Sequence, residues 1–114
     1  MLIVILTVVL AAQIGASHAA TIVITFPEDG AYLITPTAFL NGTVTDTGSG
    51  VQKVEVSVDA GPFLLASGTT AWSFTTSELS CGVHTITAKA TDNIGNSETA
   101  SIKISDYTNP VGIC

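Results

Sequence analysis

Residues 51–59, VQKVEVSVD, alternate apolar and polar side chains at every second position. Val54, Val56 and Val58 fall on one side of an extended chain, and the lysine, glutamate and serine between them fall on the other. This alternation is typical of an antiparallel strand that is buried on one face and exposed on the other. The segment is therefore predicted to be a strand that covers one side of a core.

The same period of two recurs in six further segments, which makes seven predicted strands in all. The six are residues 21–26, 38–46, 62–67, 71–75, 82–92 and 97–105. Turn-forming residues rich in Asp, Asn, Gly and Ser separate them. Seven short strands at this spacing predict an all-β, immunoglobulin-like β-sandwich over residues 21–105.

The alternation also predicts which side chains face the core. The inward set comprises Ile22, Ile24, Phe26, Leu40, Val44, His84, Ile86, Ala88, Ala90, Ala100, Ile102 and Ile104. Trp72 shares a strand face with Phe74, so we expect it in the core; a surface platform for a sugar ring is the alternative.

The charge of the chain restricts its partners. Of 114 residues only three are basic, Lys53, Lys89 and Lys103, and the formal net charge is −6. Binding to nucleic acid or to an anionic membrane surface depends on lysine and arginine that contact phosphates. Neither partner is therefore expected for this chain.

The first twenty residues carry no charged side chain, and their apolar run has the length of a signal-peptide core. Ser17 and Ala19 are the small residues that a cleavage site requires, so we expect cleavage after Ala19 or Ala20. An uncleaved hydrophobic anchor and a retained pilin-like helix are the alternatives. Export would place the domain outside the cell, secreted or at the cell surface, with membrane contact only through an uncleaved residue 1–20 segment.

Three motifs in a fixed order point to a known family. The stretches DTGSGV, VEVSVDAG and ATDNIGN, with WSF between the last two, occur in this order within residues 46–96. In this arrangement residues 21–108 resemble the bacterial and archaeal Ig-like domains of secreted and cell-surface proteins. The resemblance implies a tandem spacer module, and the tail at residues 106–114 looks like a linker to a following repeat.

The strand order places two acidic loops at one end of the sandwich, here called the top end. Asp46 and Asp92 are predicted to meet there, together with Asn93 and Asn96. Such oxygens could supply part of a Ca²⁺ site. The competing interpretation is that the aspartates bond the amides of their own turns, with Gly95 at a positive φ.

The opposite, bottom end is predicted to hold Asp59 and the Glu28–Asp29 pair. His84 begins a strand there and, outside the leader, is the only histidine. A lone histidine on an apolar strand face is predicted to be partly buried and hydrogen-bonded rather than catalytic, and no enzymatic function or cofactor is expected.

Two sequence features suggest covalent modification. Cys81 and Cys114 are both predicted at the bottom end, where a disulfide would tie the tail to the domain; a free or intermolecular Cys114 is the alternative. Asn41 lies in an Asn-Gly-Thr sequon and is a candidate for glycosylation.

These observations favour a non-catalytic, exported module with a structural or adhesive role at the cell surface. Its partners would be neighbouring domains of surface proteins, or host and cell-wall ligands. Two alternatives remain open. One is a carbohydrate- or Ca²⁺-binding module that uses the top loops. The other is a filament subunit that retains residues 1–20 as a helix or lends residues 21–26 as a strand to its neighbour.

Overall fold

The computed structural model describes residues 20–46 and 48–108, and these residues form nine β-strands. The strands are β1 (Thr21–Phe26), β2 (Ala31–Leu33), β3 (Phe39–Thr45), β4 (Val51–Val58), β5 (Leu64–Leu65), β6 (Ser67–Gly68), β7 (Ala71–Thr75), β8 (Gly82–Asp92) and β9 (Ser97–Asp106). Of the predicted leader only Ala20 is described, and Cys114 also lies outside the described residues. No helix within the described residues is long and apolar enough to cross a membrane.

Two sheets form a sandwich, which confirms the predicted fold class. One sheet has the order β1-β3-β7-β6, and the other has the order β2-β9-β8-β4-β5. Every pairing is antiparallel except that of β2 with β9, which is parallel. The predicted strands at 51–58, 82–92 and 97–105 form the centre of the larger sheet.

Strand β2 is absent from the sequence-based prediction. The chain leaves the smaller sheet at the end of β1, passes a cis Phe26–Pro27 peptide, and joins the larger sheet as Ala31–Leu33 beside residues 104–106 of β9. Three residues are too few for a period of two to stand out in a sequence, so this crossing could not be recognised from the pattern.

The predicted strand at 62–67 is divided between the two sheets. Leu64 pairs with Val56 in the larger sheet, whereas Ser67 pairs with Ser73 in the smaller one. Ala66 lies between them and is buried. The one strand predicted at residues 62–67 therefore corresponds to two short edge strands, β5 and β6.

The core lies between the sheets and consists mainly of the predicted inward residues. The buried members are Ala20, Ile22, Ala38, Leu40, Val44, Val54, Val56, Ala66, Trp72, Ile86, Ala88, Ala90, Ile102 and Ile104. Trp72 is only 3% exposed, which confirms its core position, and it pairs directly with Gly42 across β3 and β7. Val58, Ile24, Phe74 and Ala100 are partly buried against this cluster.

Phe26 was predicted to face the core, and this prediction is wrong. The pairing of β1 with β3 shifts register between Ile24 and Phe26, because Ile24 lies opposite Gly42 and Phe26 lies opposite Asn41. An extra residue in one strand turns the following side chain to the other face. Phe26 is consequently exposed on the surface.

Candidate functional site

The two loops predicted to share the top end do meet there. The backbone N–H of Asn93 donates to the carbonyl of Gly50 at 3.0 Å, and its side-chain amide donates to the carbonyl of Ser49 at 2.7 Å. Asp46 begins one loop, and its Oδ1 accepts the N–H of Gly48 at 2.9 Å. The predicted meeting of the two loops is therefore confirmed, through Asn93 on one side and Ser49 and Gly50 on the other.

Asp92 organises the turn that follows β8. Its Oδ1 accepts the N–H groups of Ile94 at 3.0 Å and Asn96 at 2.8 Å, and Gly95 has a φ of 95°. Burial of Asp92 raises the pKa of its carboxyl, but the hydrogen bonds from Asn96, Ile94 and Gly95 outweigh burial and lower that pKa below 3.8. The carboxylate thus stays ionised and serves the backbone, which confirms its predicted role in the turn.

Three of the four predicted calcium ligands already have backbone partners. One oxygen of Asp46 and one of Asp92 accept backbone amides, and the side-chain amide of Asn93 is also engaged. The other oxygen of Asp46 is buried without a hydrogen-bond partner. Across residues 20–46 and 48–108 there is no group of three His, Cys, Asp or Glu side chains placed to hold a metal. Calcium binding by Asp46, Asp92, Asn93 and Asn96 remains a prediction.

The most connected polar group of the bottom end is an acid–base pair between His84 and Asp59. Nδ1 of His84 lies 2.6 Å from Oδ2 of Asp59, and Nε2 lies 2.6 Å from the carbonyl oxygen of Ser80. The other oxygen of Asp59 accepts the N–H of Thr85 at 2.9 Å. His84 is 6% exposed. The prediction of a buried, hydrogen-bonded histidine is confirmed.

The protonation of this pair follows from its surroundings. Burial of the His84 ring lowers its pKa, but the hydrogen bonds to Asp59 and Ser80 and the charges of Asp59 and Asp106 outweigh burial and raise the pKa above 6.5. Burial raises the pKa of Asp59, and the hydrogen bonds from His84 and Thr85 reverse this and lower it below 3.8. Because both ring nitrogens face acceptors, only the doubly protonated imidazole satisfies both contacts, and in that form it offers no lone pair to a reacting group.

Asp59 and His84 were predicted at the same end of the sandwich but not as a pair. The pairing depends on the register of β4 and β8, in which Val58 lies opposite Ile86. Asp59 follows Val58 and His84 precedes Ile86 by two positions, so the register alone would have brought them together. The sequences of β4 and β8 do not predict that register, because each strand alternates evenly along its length and is compatible with several pairings.

Two further aspartates join loops to strands at the bottom end. Oδ1 of Asp29 accepts the N–H of Lys103 at 2.8 Å, and the N–H of Gly30 donates to the carbonyl of Lys103 at 2.7 Å. Asp106 is fully buried at the end of β9; its Oδ1 accepts the N–H and the hydroxyl of Thr108. The second oxygen of Asp106 is buried without a hydrogen-bond partner.

An apolar groove of about 490 Å³ runs between β1, β2 and the start of β3. Three aromatic side chains line it, Phe26, Tyr32 and Phe39, and Tyr32 is 75% exposed. Tyr107 packs its ring against Tyr32 with the ring centroids 6.1 Å apart. We name this surface, lined by Phe26, Tyr32 and Phe39, the aromatic groove. It lies toward the bottom end of the sandwich, where β1 ends, β2 pairs with residues 104–106 and β3 begins, and not at the top loops for which carbohydrate binding was predicted.

Two residues predicted to be covalently modified, Asn41 and Cys81, lie within the described part of the chain. Asn41 is half-buried within β3, opposite Ser73. Cys81 lies in the connection between β7 and β8, as predicted. Because Cys114 is outside the described residues, the Cys81–Cys114 disulfide remains a prediction, as does glycosylation of Asn41.

Comparison with solved structures shows the same architecture in several proteins. The endo-β-1,4-mannanase from Thermotoga petrophila matches with a TM-score of 0.67 and 18% identity over 81% of this chain, and this chain spans 20% of the mannanase. Fibronectin(III)-like modules of Clostridium thermocellum CbhA match with a TM-score of 0.63 and 20% identity, over 75% of this chain and 96% of the module. CopC from Methylosinus trichosporium OB3b matches with a TM-score of 0.57 and 14% identity, over 77% and 93% of the two chains. At these identities the likeness shows the fold alone.

Comparison with curated proteins finds no match. The sequence profile of the bacterial Ig domain family, however, matches residues 21–88, which is more than half of the chain. This range includes β1 to β7 and the first part of β8, with the core tryptophan and the His84–Asp59 pair. On this match and the two-sheet sandwich, the chain belongs to the bacterial Ig domain family.

Proposed function

We propose that this chain is an exported, non-catalytic module that serves as a structural spacer at the cell surface, with an adhesive role as the alternative. The observation that carries the proposal is the use made of its acidic side chains. Asp29, Asp46, Asp59, Asp92 and Asp106 each accept a backbone N–H in a loop or at a strand end. These carboxylates fix the loops of the sandwich.

A spacer needs ends whose geometry does not change, because the direction of each end sets the direction of the neighbouring domain. Asp92 fixes the last hairpin at the top end, and Asp29 fixes the β1–β2 connection against β9. Charge-assisted hydrogen bonds of this kind are stronger than those between neutral groups. The arrangement supports a rigid module better than a mobile binding loop.

Export is tested by deleting residues 2–20 from the full chain and comparing it with the intact chain in its host. We expect the intact chain in the medium or at the surface, where added protease can reach it, with a mature N-terminus at Ala20 or Thr21. The deleted form would stay inside the cell. Equal distribution of the two forms would contradict export through this segment.

The spacer role is tested by exchange. Residues 21–105 are replaced in the full-length gene product by an unrelated Ig-like module of similar length. A spacer tolerates the exchange, so surface display and adhesion to cells would be retained. Loss of adhesion with normal display would show that the surface of this particular module makes a specific contact.

A second candidate function is carbohydrate binding, and the aromatic groove favours it. Exposed aromatic rings offer flat faces to the C–H groups of sugars, and threonines 25, 35 and 37 with Glu28 add hydrogen-bonding groups to the lining. Pockets for small ligands are commonly of this size, mostly apolar with a few polar groups. The lining has one carboxylate and no basic side chain, which favours neutral over acidic sugars.

This candidate is tested with a panel of neutral and acidic polysaccharides and the full chain. Tyr32→Ala should weaken binding on the order of tenfold if the ring stacks on sugar. Phe63→Ala is the matched control, because Phe63 is also partly exposed but lies beside Lys89, outside the groove. An equal effect of both variants, or no binding by the unmodified chain, would contradict a site in the groove.

A further inference from the structure

His84 connects three separate segments at the bottom end. It lies near the start of β8, its Nδ1 contacts Asp59 in the turn after β4, and its Nε2 contacts the carbonyl of Ser80 in the connection between β7 and β8. The turn at Asp59 is itself braced, since the N–H of Asp59 donates to the carbonyl of Thr85 at 2.8 Å. One buried ring therefore holds the turn and the connection together.

Each of the two contacts requires a proton on its ring nitrogen. A carboxylate and a carbonyl are both acceptors, so both ring nitrogens must carry a proton for both contacts to be hydrogen bonds. A neutral imidazole carries one proton and can satisfy one of them. The carboxylate is the stronger acceptor, so the remaining proton stays on the side of Asp59 and the contact with Ser80 is lost.

Residues 76–79, which precede Ser80 in the connection, form one wall of a small apolar cavity. Thr76 and Leu79 from this connection, and Pro62 from the turn side, line a space of about 180 Å³ together with core residues. Two backbone bonds hold the earlier part of the connection, from Thr76 to Ala38 at 2.9 Å and from Leu79 to Pro36 at 2.8 Å. Next to Ser80, Nε2 of His84 adds a hydrogen bond to the carbonyl oxygen of this connection.

We propose that His84 is a pH-operated latch, which closes the β7–β8 connection over the bottom end when protonated and releases it when neutral. The charged groups that face the ring come from two other elements, Asp59 in the β4–β5 turn and Asp106 at the end of β9. Both are acidic and favour the closed, protonated state.

The direction of the switch follows from linkage. The pKa of His84 is raised in the closed state, so the opening equilibrium is constant below the pKa of the open state, near 6.5. Between the two pKa values it rises about tenfold per pH unit, and it is constant again above the closed-state pKa. The total increase in opening is therefore ten to the power of the measured pKa difference.

The test uses the full chain and NMR, which follows the ring of His84 separately from that of His18. Amide exchange of residues 76–81, corrected for the intrinsic rate, is measured from about pH 5 to about pH 9. We expect opening of this connection to increase across the titration of His84, by the factor given above. The turn at residues 92–96 serves as an internal reference that should not respond.

Two variants decide the result. His84→Gln removes the titration, so the pH dependence of residues 76–81 should vanish. Asp59→Asn keeps the ring but removes the facing charge, so both the titration and the opening should move together to lower pH. Exchange at residues 76–81 that ignores the titration of His84, or moves independently of it in Asp59→Asn, would overturn the proposal; this second variant keeps the test valid where His84→Gln does not fold.

Discussion

Gly42 lies directly against the indole ring of Trp72, its partner across β3 and β7. A Cβ atom placed on Gly42 would lie 2.6 Å from Cζ2 of the indole and 1.9 Å from the carbonyl oxygen of Val23. Both distances are far shorter than any real Cβ contact, and the shorter one is to a backbone oxygen that cannot move aside. Because Gly42 has no side chain, there is room for the indole of the single tryptophan of the chain to pack against it.

Gly42→Ala should destabilise the domain by at least about 1–3 kcal/mol, the usual cost of overpacking a core. Urea unfolding of the variant and the parent measures the difference. Gly48→Ala is the matched control, because a Cβ there has no neighbour closer than 3.7 Å. We expect its effect to stay within about 0.5 kcal/mol. Equal stabilities of the Gly42 and Gly48 variants would contradict the packing described.

Trp72 gives a direct optical measure of this packing. Because it is 3% exposed, its fluorescence should be blue-shifted and poorly quenched by iodide in the folded state, and red-shifted on unfolding. Trp72→Ala should cost about 3–5 kcal/mol, as for other large aromatic deletions. A tryptophan that iodide quenches freely in the folded protein would indicate a surface position instead.

Ala60 adopts a backbone conformation that favours glycine. Its φ is 62°, within the turn that also holds Asp59 at 53°. A side chain in this region costs about 1–2 kcal/mol, part of which is offset by the greater freedom of glycine in the unfolded chain. Ala60→Gly should therefore stabilise by about 0.5–1 kcal/mol in urea unfolding. Ala100→Gly, in the middle of β9, should destabilise, and matching signs would contradict this assignment.

The His84–Asp59 pair should shape the dependence of global stability on pH. The pKa of His84 is raised, so its contribution is complete below about pH 6.5 and is lost as pH rises through the folded-state pKa. The pKa of Asp59 is lowered, so its contribution is present above about pH 3.8 and is lost as pH falls through the folded-state value. Stability should be greatest in the mildly acidic range between them.

A double-mutant cycle with His84→Gln and Asp59→Asn measures the pair directly. Since the side chain of Asp59 is 49% exposed, solvent screens the interaction, and we expect a coupling energy of about 1 kcal/mol or less in this range. The coupling should weaken at alkaline pH, because the neutral ring keeps its Nδ1–H hydrogen bond to Asp59 but loses its charge. A coupling that does not change between mildly acidic and alkaline pH would show that the charge on the ring is not involved.

Asp92→Ala tests the turn against the calcium interpretation. Removing the acceptor of two backbone amides should lower the thermal midpoint, and Asp92→Asn, which retains an oxygen, should lower it less. If Asp92 acts only in the turn, the loss is the same with calcium and with a chelator. A loss that appears only with calcium, together with heat of calcium binding in the unmodified chain, would favour the metal site.

Local patterns determined much of this protein. Alternation along residues 51–58, 82–92 and 97–105 was enough to assign the strands and their buried faces, because the period of two depends only on neighbours in the chain. The role of Asp92 was also accessible, since its partners lie two and four residues away.

Other features depended on the tertiary structure. Three features depend on how strands pair across the sandwich. They are the bulge that exposes Phe26, the crossing of Ala31–Leu33 to the second sheet, and the contact of His84 with Asp59, 25 residues apart. Register is decided by how both sheets pack on a shared core, and an evenly alternating strand is compatible with several registers. The sequence by itself therefore determined the strands and the fold class, whereas the packed sandwich decided which polar groups meet and which aromatic rings remain exposed.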